Sequence, residues 1–242
     1  MLEGRIVVVT GSAQGIGKHA ARTFADQKAK VVVADSDEEL AKKTAGELGQ
    51  HAETFAVRVD VRNEESVKGM IDRVIARFGK IDVMVNNAAI VPHFAWGIPR
   101  WPRIAEMPME FWDRVIQTNL YGTFLGTKHA LPYMEMRRSG HIINLYGGGG
   151  LTPAGACAYM ATKDAIRTFT RYVAEEVRDS NVCVVIFSPR VPIVTESAPQ
   201  EAFSRLPGPE ILGQGFVLAA QLPLDQSGGI FSYQEGKLVN EA

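Results

Sequence analysis

Tyr159 and Lys163 stand four positions apart in Ala158-Tyr159-Met160-Ala161-Thr162-Lys163. On a helix that spacing puts both side chains on one face. A phenol with a pKa of about 10 is too weak an acid to serve as a base at neutral pH. An ammonium group close by favours the phenolate. The pair can then take a proton from an alcohol or return one to a carbonyl. Upstream, Thr10-Gly11-Ser12-Ala13-Gln14-Gly15-Ile16-Gly17 offers different chemistry. Its glycines let the backbone turn sharply and approach a pyrophosphate. The helix start that follows presents free N–H groups and a positive dipole end. Gly17 also lets that helix pack close to the preceding strand. Asp35, further on, can accept from both hydroxyls of an adenosine ribose and would repel a 2′-phosphate. Neither Ala13 nor Gln14 brings a cation to such a phosphate, and Lys18 is the nearby positive charge. NAD(H) is therefore expected over NADP(H). Asp60, in Val59-Asp60-Val61, can accept from an adenine amino group or cap a loop.

These residues need elements to hold them. Strand-like runs cover Arg5–Val9, Lys30–Asp35, Glu53–Val59, Ile81–Val85, His141–Leu145 and Val182–Phe187, with a weaker one at Gly229–Tyr233. Most are rich in Val and Ile without polar alternation, the pattern of strands buried on both faces. Helical stripes lie between them. One runs through Ile16, Ala20, Ala21, Phe24 and Ala25, the next through Leu40 to Leu48. A third runs from Val67 to Phe78, with Asn63 as its N-cap and Glu64 and Glu65 in its first turn. Longer patterns cover Phe111–Met136 and Ala158–Val177. The alternation predicts one α/β domain over residues 1–242, a doubly wound parallel sheet with helices on both faces. Two Pro-rich stretches, Val91–Pro108 and Val191–Pro209, follow strands at the carboxyl edge of the sheet. There they are expected to wall a substrate pocket.

The overall composition excludes several classes. The chain has 242 residues, is 46% hydrophobic and carries a formal net charge of −1. That is an ordinary globular balance without the basic footprint of a nucleic-acid binder. Cys157 and Cys183 are its two cysteines, too few for a disulfide scaffold and in keeping with a reducing compartment. No apolar run is long enough to span a bilayer, and the first residues lack the apolar region of a signal peptide. A cytoplasmic protein with a small-molecule substrate and no metal is expected, with neither nucleic acid nor membrane as partner.

Taken in order, the glycine turn, Asn86-Asn87-Ala88-Ala89 after the fourth strand, Asn119, and Tyr159 with Lys163 resemble the classical short-chain dehydrogenase/reductase family from about Gly4 to Gly236. The resemblance implies a Rossmann-type seven-stranded sheet, a nicotinamide cofactor, and hydride transfer between an alcohol and a carbonyl. It also implies a homo-oligomer, dimer or tetramer, paired through the long helices. Gly11, Ser12, Gln14, Gly15, Ile16, Gly17, Asp35, Asp60, Val61, Asn87, Ala88, Tyr159, Lys163, Pro189, Val191 and Thr195 would border the cofactor. Asn119 would position a water linking Lys163 to solvent, and Lys163 would also donate to the nicotinamide ribose.

Three departures stand out. The family carries a Ser just after the fifth strand, where its hydroxyl donates to the substrate oxygen. Here Tyr146-Gly147-Gly148-Gly149-Gly150 occupies that stretch. A donor aimed at developing oxygen charge is worth a few kcal/mol. Tyr146 can supply its own hydroxyl from a longer side chain, Thr152 can fold in from beyond the glycines, or the donor is absent. Next, Arg190 in Ser188-Pro189-Arg190-Val191-Pro192-Ile193-Val194-Thr195 replaces the family's Gly, so the backbone is expected to take another path. Val191 and Val194 are left to offer backbone groups, and Thr195 a hydroxyl, to the carboxamide. Finally, the segment between Asn87 and Trp112 is longer than the family's and contains Phe94, Trp96, Ile98 and Trp101. Aromatics over a nicotinamide site suit an apolar, cyclic or aromatic substrate. Trp96 and Trp101 can alternatively pack on a neighbouring subunit. The expected activity is an NAD(H)-dependent alcohol dehydrogenase or carbonyl reductase. The missing Ser leaves two rivals: a non-redox reaction on the same site, and a non-enzymatic binding or scaffold protein.

Overall fold

The computed structural model describes residues 2–91, 101–147, 155–196 and 203–241. In chain order its elements are β1 (Ile6–Thr10), α1 (Gly15–Asp26), β2 (Lys30–Asp35), α2 (Glu38–Leu48), β3 (Thr54–Arg58), α3 (Glu64–Phe78), β4 (Val83–Asn86), α4 (Met109–Ile116), α5 (Gly122–Arg137), β5 (Gly140–Leu145), α6 (Cys157–Glu176), β6 (Val182–Phe187), α7 (Gly213–Ala219), β7 (Ile230–Gln234) and β8 (Lys237–Asn240). They form a sheet of order β3-β2-β1-β4-β5-β6-β7-β8. Every pairing is parallel up to β7, and β8 returns antiparallel to β7.

Period-two alternation sorts the apolar strand residues into two cores. Val7, Val9, Val31 and Val33 face a core with Phe24, Leu48 and Phe216 from α1, α2 and α7. Ile6, Val8, Val32 and Ala34 face the other, with Met70, Ile71 and Met134 from α3 and α5. Fully burying one such side chain contributes about 1.5–3 kcal/mol. A one-residue slip would exchange the two sets, so the pattern fixes register. The Asn63 carboxamide oxygen caps α3 through the Ser66 N–H at 2.9 Å, as expected.

The expected seven strands become eight. The additional strand, β8, is a four-residue edge strand behind a two-residue turn at Glu235-Gly236. Both turn residues have left-handed backbone, with φ of 47° and 84°. That conformation matches the twist of a tight hairpin. A short, half-exposed edge gives little hydrophobic signal. The long pattern at 111–136 is α4 and α5 joined by a π-helical turn, Gln117–Tyr121, with Asn119 buried inside it. Such turns often mark functional positions.

Candidate active site

The strand order reverses between β1 and β4. The crevice beyond their carboxyl ends is where open α/β sheets bind ligands. Thr10, at the end of β1, ties the two strands together: its Oγ1 accepts from the N–H groups of Asn87 at 3.1 Å and Ala88 at 3.2 Å. The Asn87 amide donates to the carbonyls of Thr10 at 2.8 Å and Gly11 at 3.0 Å. A Cβ on Gly17 would fall 2.5 Å from that same amide nitrogen. Only glycine there lets α1 start this close to β4.

The Ser12 side chain is fully buried and braces the turn from below, donating to Val9 O at 2.7 Å and accepting from Ala34 N at 3.1 Å. Thr44 on α2 does the same from another side, donating to Ala13 O at 2.8 Å. Asp35 ends β2 beside the glycine turn: one carboxylate oxygen accepts from Ala13 N at 3.0 Å and the other from Asp37 N at 3.2 Å. Each oxygen keeps lone-pair capacity. Lys18 is drawn away to Glu47 at 2.8 Å. Arg58, not singled out in the sequence, is the cross-strand partner of Asp35 on β3. The Asp60 carboxylate is gripped by Arg62, at 2.9 and 2.7 Å, and that pairing holds its pKa below the usual carboxylate range. Val61 packs where α5 begins, its Cγ2 3.0 Å from a Cβ built on Gly122.

The turn suits a dinucleotide. α1 begins at Gly15 behind Gln14, with no side-chain cap bond from Gln14 and no acidic residue in its own first turn. An anion supplied from outside is the complement such a helix start lacks. Gly15 N–H already meets one anion, Glu196 Oε2 at 2.8 Å, a contact the spacing did not foretell. Thr195 lies beside it, its Cγ2 3.4 Å from a Cβ built on Gly15. Pro189 is buried and Val191 is 46% exposed. Arg190 stays out of the left-handed region and reaches Glu241 at 3.6 Å.

Tyr159 and Lys163 come together on α6, both buried, with the ammonium nitrogen 5.5 Å from the phenol ring centroid. Lys163 Nζ donates to Leu145 O at 2.8 Å, bridging α6 to the end of β5. Burial pushes its pKa down to about 8. Burial, reinforced by Tyr146, pushes the Tyr159 phenol up. Asn119 is nearly fully buried, and its carboxamide exchanges hydrogen bonds with Ile90 N and O at 2.8 and 3.1 Å. It also donates to Thr162 Oγ1 at 3.3 Å. Thr162 in turn donates to Tyr159 O at 2.6 Å. The π-helical turn thus grips α6 next to Tyr159.

The hydroxyl of Tyr146 donates to Asp164 Oδ1 at 3.1 Å. Gly147, one residue on, has its α-carbon facing Tyr159 Oη. Trp101 stands over Tyr159, the rings edge to face at 6.3 Å, and packs on Phe111 at 5.0 Å. A Cβ on Gly155 would come 2.6 Å from Trp101 O, so the loops after β4 and β5 meet closely here. Phe94, Trp96, Ile98 and Thr152 lie outside the described residues.

The short chain dehydrogenase family matches residues 5–201. The chain belongs to this family. Among relatives of this short-chain dehydrogenase, momilactone A synthase of Oryza sativa subsp. japonica is 40% identical over 189 residues, 78% of this chain and 66% of that protein. The chain thus matches just under two thirds of that relative's length. The mitochondrial borneol dehydrogenase of Lavandula x intermedia is 38% identical over 189 residues, 78% of this chain and 69% of its own. The crystal structure of 3-ketoacyl-(acyl-carrier-protein) reductase from Brucella melitensis complexed with NADH superposes with a TM-score of 0.83 at 26% identity, covering 98% of this chain and 99% of that one. An oxidoreductase with a nicotinamide cofactor follows from family and fold. Among the described residues no helix is long and apolar enough to cross a membrane.

Proposed function

We propose that this short-chain dehydrogenase interconverts an apolar, ring-bearing alcohol and its carbonyl compound with NAD(H). The observation that carries the reading is Tyr159 buried against Lys163 beneath the indole of Trp101. It joins a proton-transfer group to an aromatic wall. Relatives named for borneol and momilactone point to the same kind of substrate.

A bound nicotinamide would supply the hydride acceptor or donor. The chain's own residues handle the proton and the geometry. Tyr159 Oη takes the alcohol proton during oxidation and returns it during reduction. Its raised pKa keeps the phenol protonated even with Lys163 5.5 Å from the ring, and the charge of an oxidised nicotinamide would add to that of Lys163 in favouring the phenolate. Asn119 holds α6 through Thr162, so that Tyr159 keeps its place. At the other end Asp35 receives the ribose hydroxyls. With Lys18 paired to Glu47 and Arg190 to Glu241, neither of these cations is aimed at a 2′-phosphate.

The absence of a side chain at Gly147 favours a second reading, in which the cofactor stays in one redox state while Tyr159 moves protons on a carbonyl substrate. Both readings are tested together. Parent and Tyr159→Phe are incubated with a panel of cyclic and aryl secondary alcohols and NAD, following NADH formation and substrate loss separately. Alcohol oxidation that depends on Tyr159 supports the first. Substrate conversion without NADH supports the second. Equal NADH formation by both proteins overturns the proton-transfer role.

The reading extends to assembly and setting. Tyr121, Phe124 and Met136 around α5 and Tyr172 on α6 are exposed, at 50%, 42%, 80% and 62%. Apolar groups on two long neighbouring helices suit pairing with a second copy, as a dimer or within a tetramer. Cys157 and Cys183 are both free, in keeping with a reducing cytoplasm.

A further inference from the structure

The carboxylate of Glu196 accepts a hydrogen bond from Gly15 N at 2.8 Å across 181 positions of sequence. Gly15 is the first residue of α1 and has left-handed backbone at φ 60°. Gln14 gives that helix no side-chain cap bond, and its first turn holds no acid. The negative complement to its dipole is therefore borrowed from the segment after β6. The segment is anchored: Val194 is 3% exposed and donates its N–H to Pro207 O at 2.9 Å. Thr195 packs over the glycine turn.

A pyrophosphate seeks the same backbone N–H groups and the same positive helix end. Two anions in contact there repel, so one must leave when the other arrives. We infer that Glu196 is a built-in stand-in for the cofactor's phosphates, which satisfies the start of α1 in the ligand-free protein and must be displaced by an incoming dinucleotide. Glu196 thereby sets cofactor affinity. The inference rests on the dinucleotide reading of the glycine turn.

The test compares the full-length parent with Glu196→Gln and Glu196→Ala, each checked for a parent-like circular dichroism spectrum. Glutamine keeps the size and one acceptor oxygen but removes the charge, and the side chain is exposed, so folding is preserved. Each protein is titrated calorimetrically with NADH, with ADP and with adenosine. Both variants bind NADH and ADP more tightly than the parent, by about tenfold for Ala and less for Gln, while adenosine, without phosphate, binds all three alike. Amide exchange provides a readout without ligand. Peptides covering Gly11–Gly17 exchange faster in Glu196→Ala than in the parent, and NADH slows both to the same level. Unchanged or weaker NADH binding by both variants, with the parent binding normally, overturns the displacement and leaves the dinucleotide reading standing. A matching gain for adenosine also overturns it, because the effect would not be one of phosphate. Failure of all three proteins to bind NADH removes the dinucleotide reading and this inference with it.

Discussion

The hydroxyl of Tyr159 lies where a side chain on Gly147 would begin, so the residue proposed to move the proton fills the space beside this glycine. A methyl group at 147 must displace that hydroxyl. Gly147→Ala is expected to lower kcat by at least about tenfold through crowding of a reacting group. NADH affinity should be nearly unchanged. Gly147→Ser crowds equally but brings a donor, so it should run about ten- to a hundredfold faster than Gly147→Ala. Steady-state rates of the two variants side by side check this, and equal rates would show that no donor is needed here.

Tyr146 is expected to matter less than its position in the sequence suggests. Its hydroxyl donates to Asp164, half-exposed and away from the gap at Gly147. Tyr146→Phe should leave kcat within about twofold and cost at most about 1 kcal/mol of stability, the worth of one exposed hydrogen bond. A hundredfold loss of kcat would mean that the hydroxyl leaves Asp164 and turns to the substrate during turnover.

Lys163 links function to stability with a definite sign. Burial lowers its pKa to about 8, below the ordinary lysine value. Between pH 8 and its ordinary value the unfolded chain binds more protons than the folded one, so this group makes stability rise with pH across that window. Below pH 8 both states hold the proton, and the buried charge costs its full penalty. Lys163→Met removes that penalty. The variant should melt higher than the parent at pH 7, with the difference shrinking as pH rises towards 10, and should lose its activity. Thermal melts across that range decide it, and a constant difference would place the pKa of Lys163 elsewhere.

Asp35 is the residue proposed to set the cofactor preference. NADH should bind at least about tenfold more tightly than NADPH, and Asp35→Ala should weaken NADH more than NADPH. Asp35 also holds Ala13 N, so the variant should lose some stability as well. Tighter NADPH binding by the parent in a fluorescence titration would show that Arg58, beside Asp35 across the sheet, reaches the 2′-phosphate.

Phe124 on α5 packs edge to face against Phe169 on α6 and remains 42% exposed. Phe124→Glu should shift the protein to monomer in sedimentation velocity, since a desolvated carboxylate in an apolar interface is costly. An unchanged sedimentation coefficient would rule out pairing through these helices.

Much of this molecule is legible without coordinates because its signals are local. A strand buried on both faces needs a run such as Ile6–Thr10 whatever surrounds it. A helix places Tyr159 and Lys163 together by its own repeat, and Asn63 caps α3 because its oxygen has only three residues to span. The glycine turn is equally local, since Gly17 is dictated by how closely α1 can follow β1. The tertiary structure decided what depends on direction and distant approach. Residue types after β5 do not say which part of α6 each meets, and packing brings Tyr146 to Asp164 and Gly147 to Tyr159. The two partners of the Ser12 hydroxyl, Val9 O and Ala34 N, come from strands that only the sheet brings together. β8 is too short and exposed to carry a period, and it forms because β7 offers an open edge. Trp101 reaches Tyr159, and Glu196 reaches Gly15, through loops whose path is set by packing alone, and no spacing along the chain encodes such contacts.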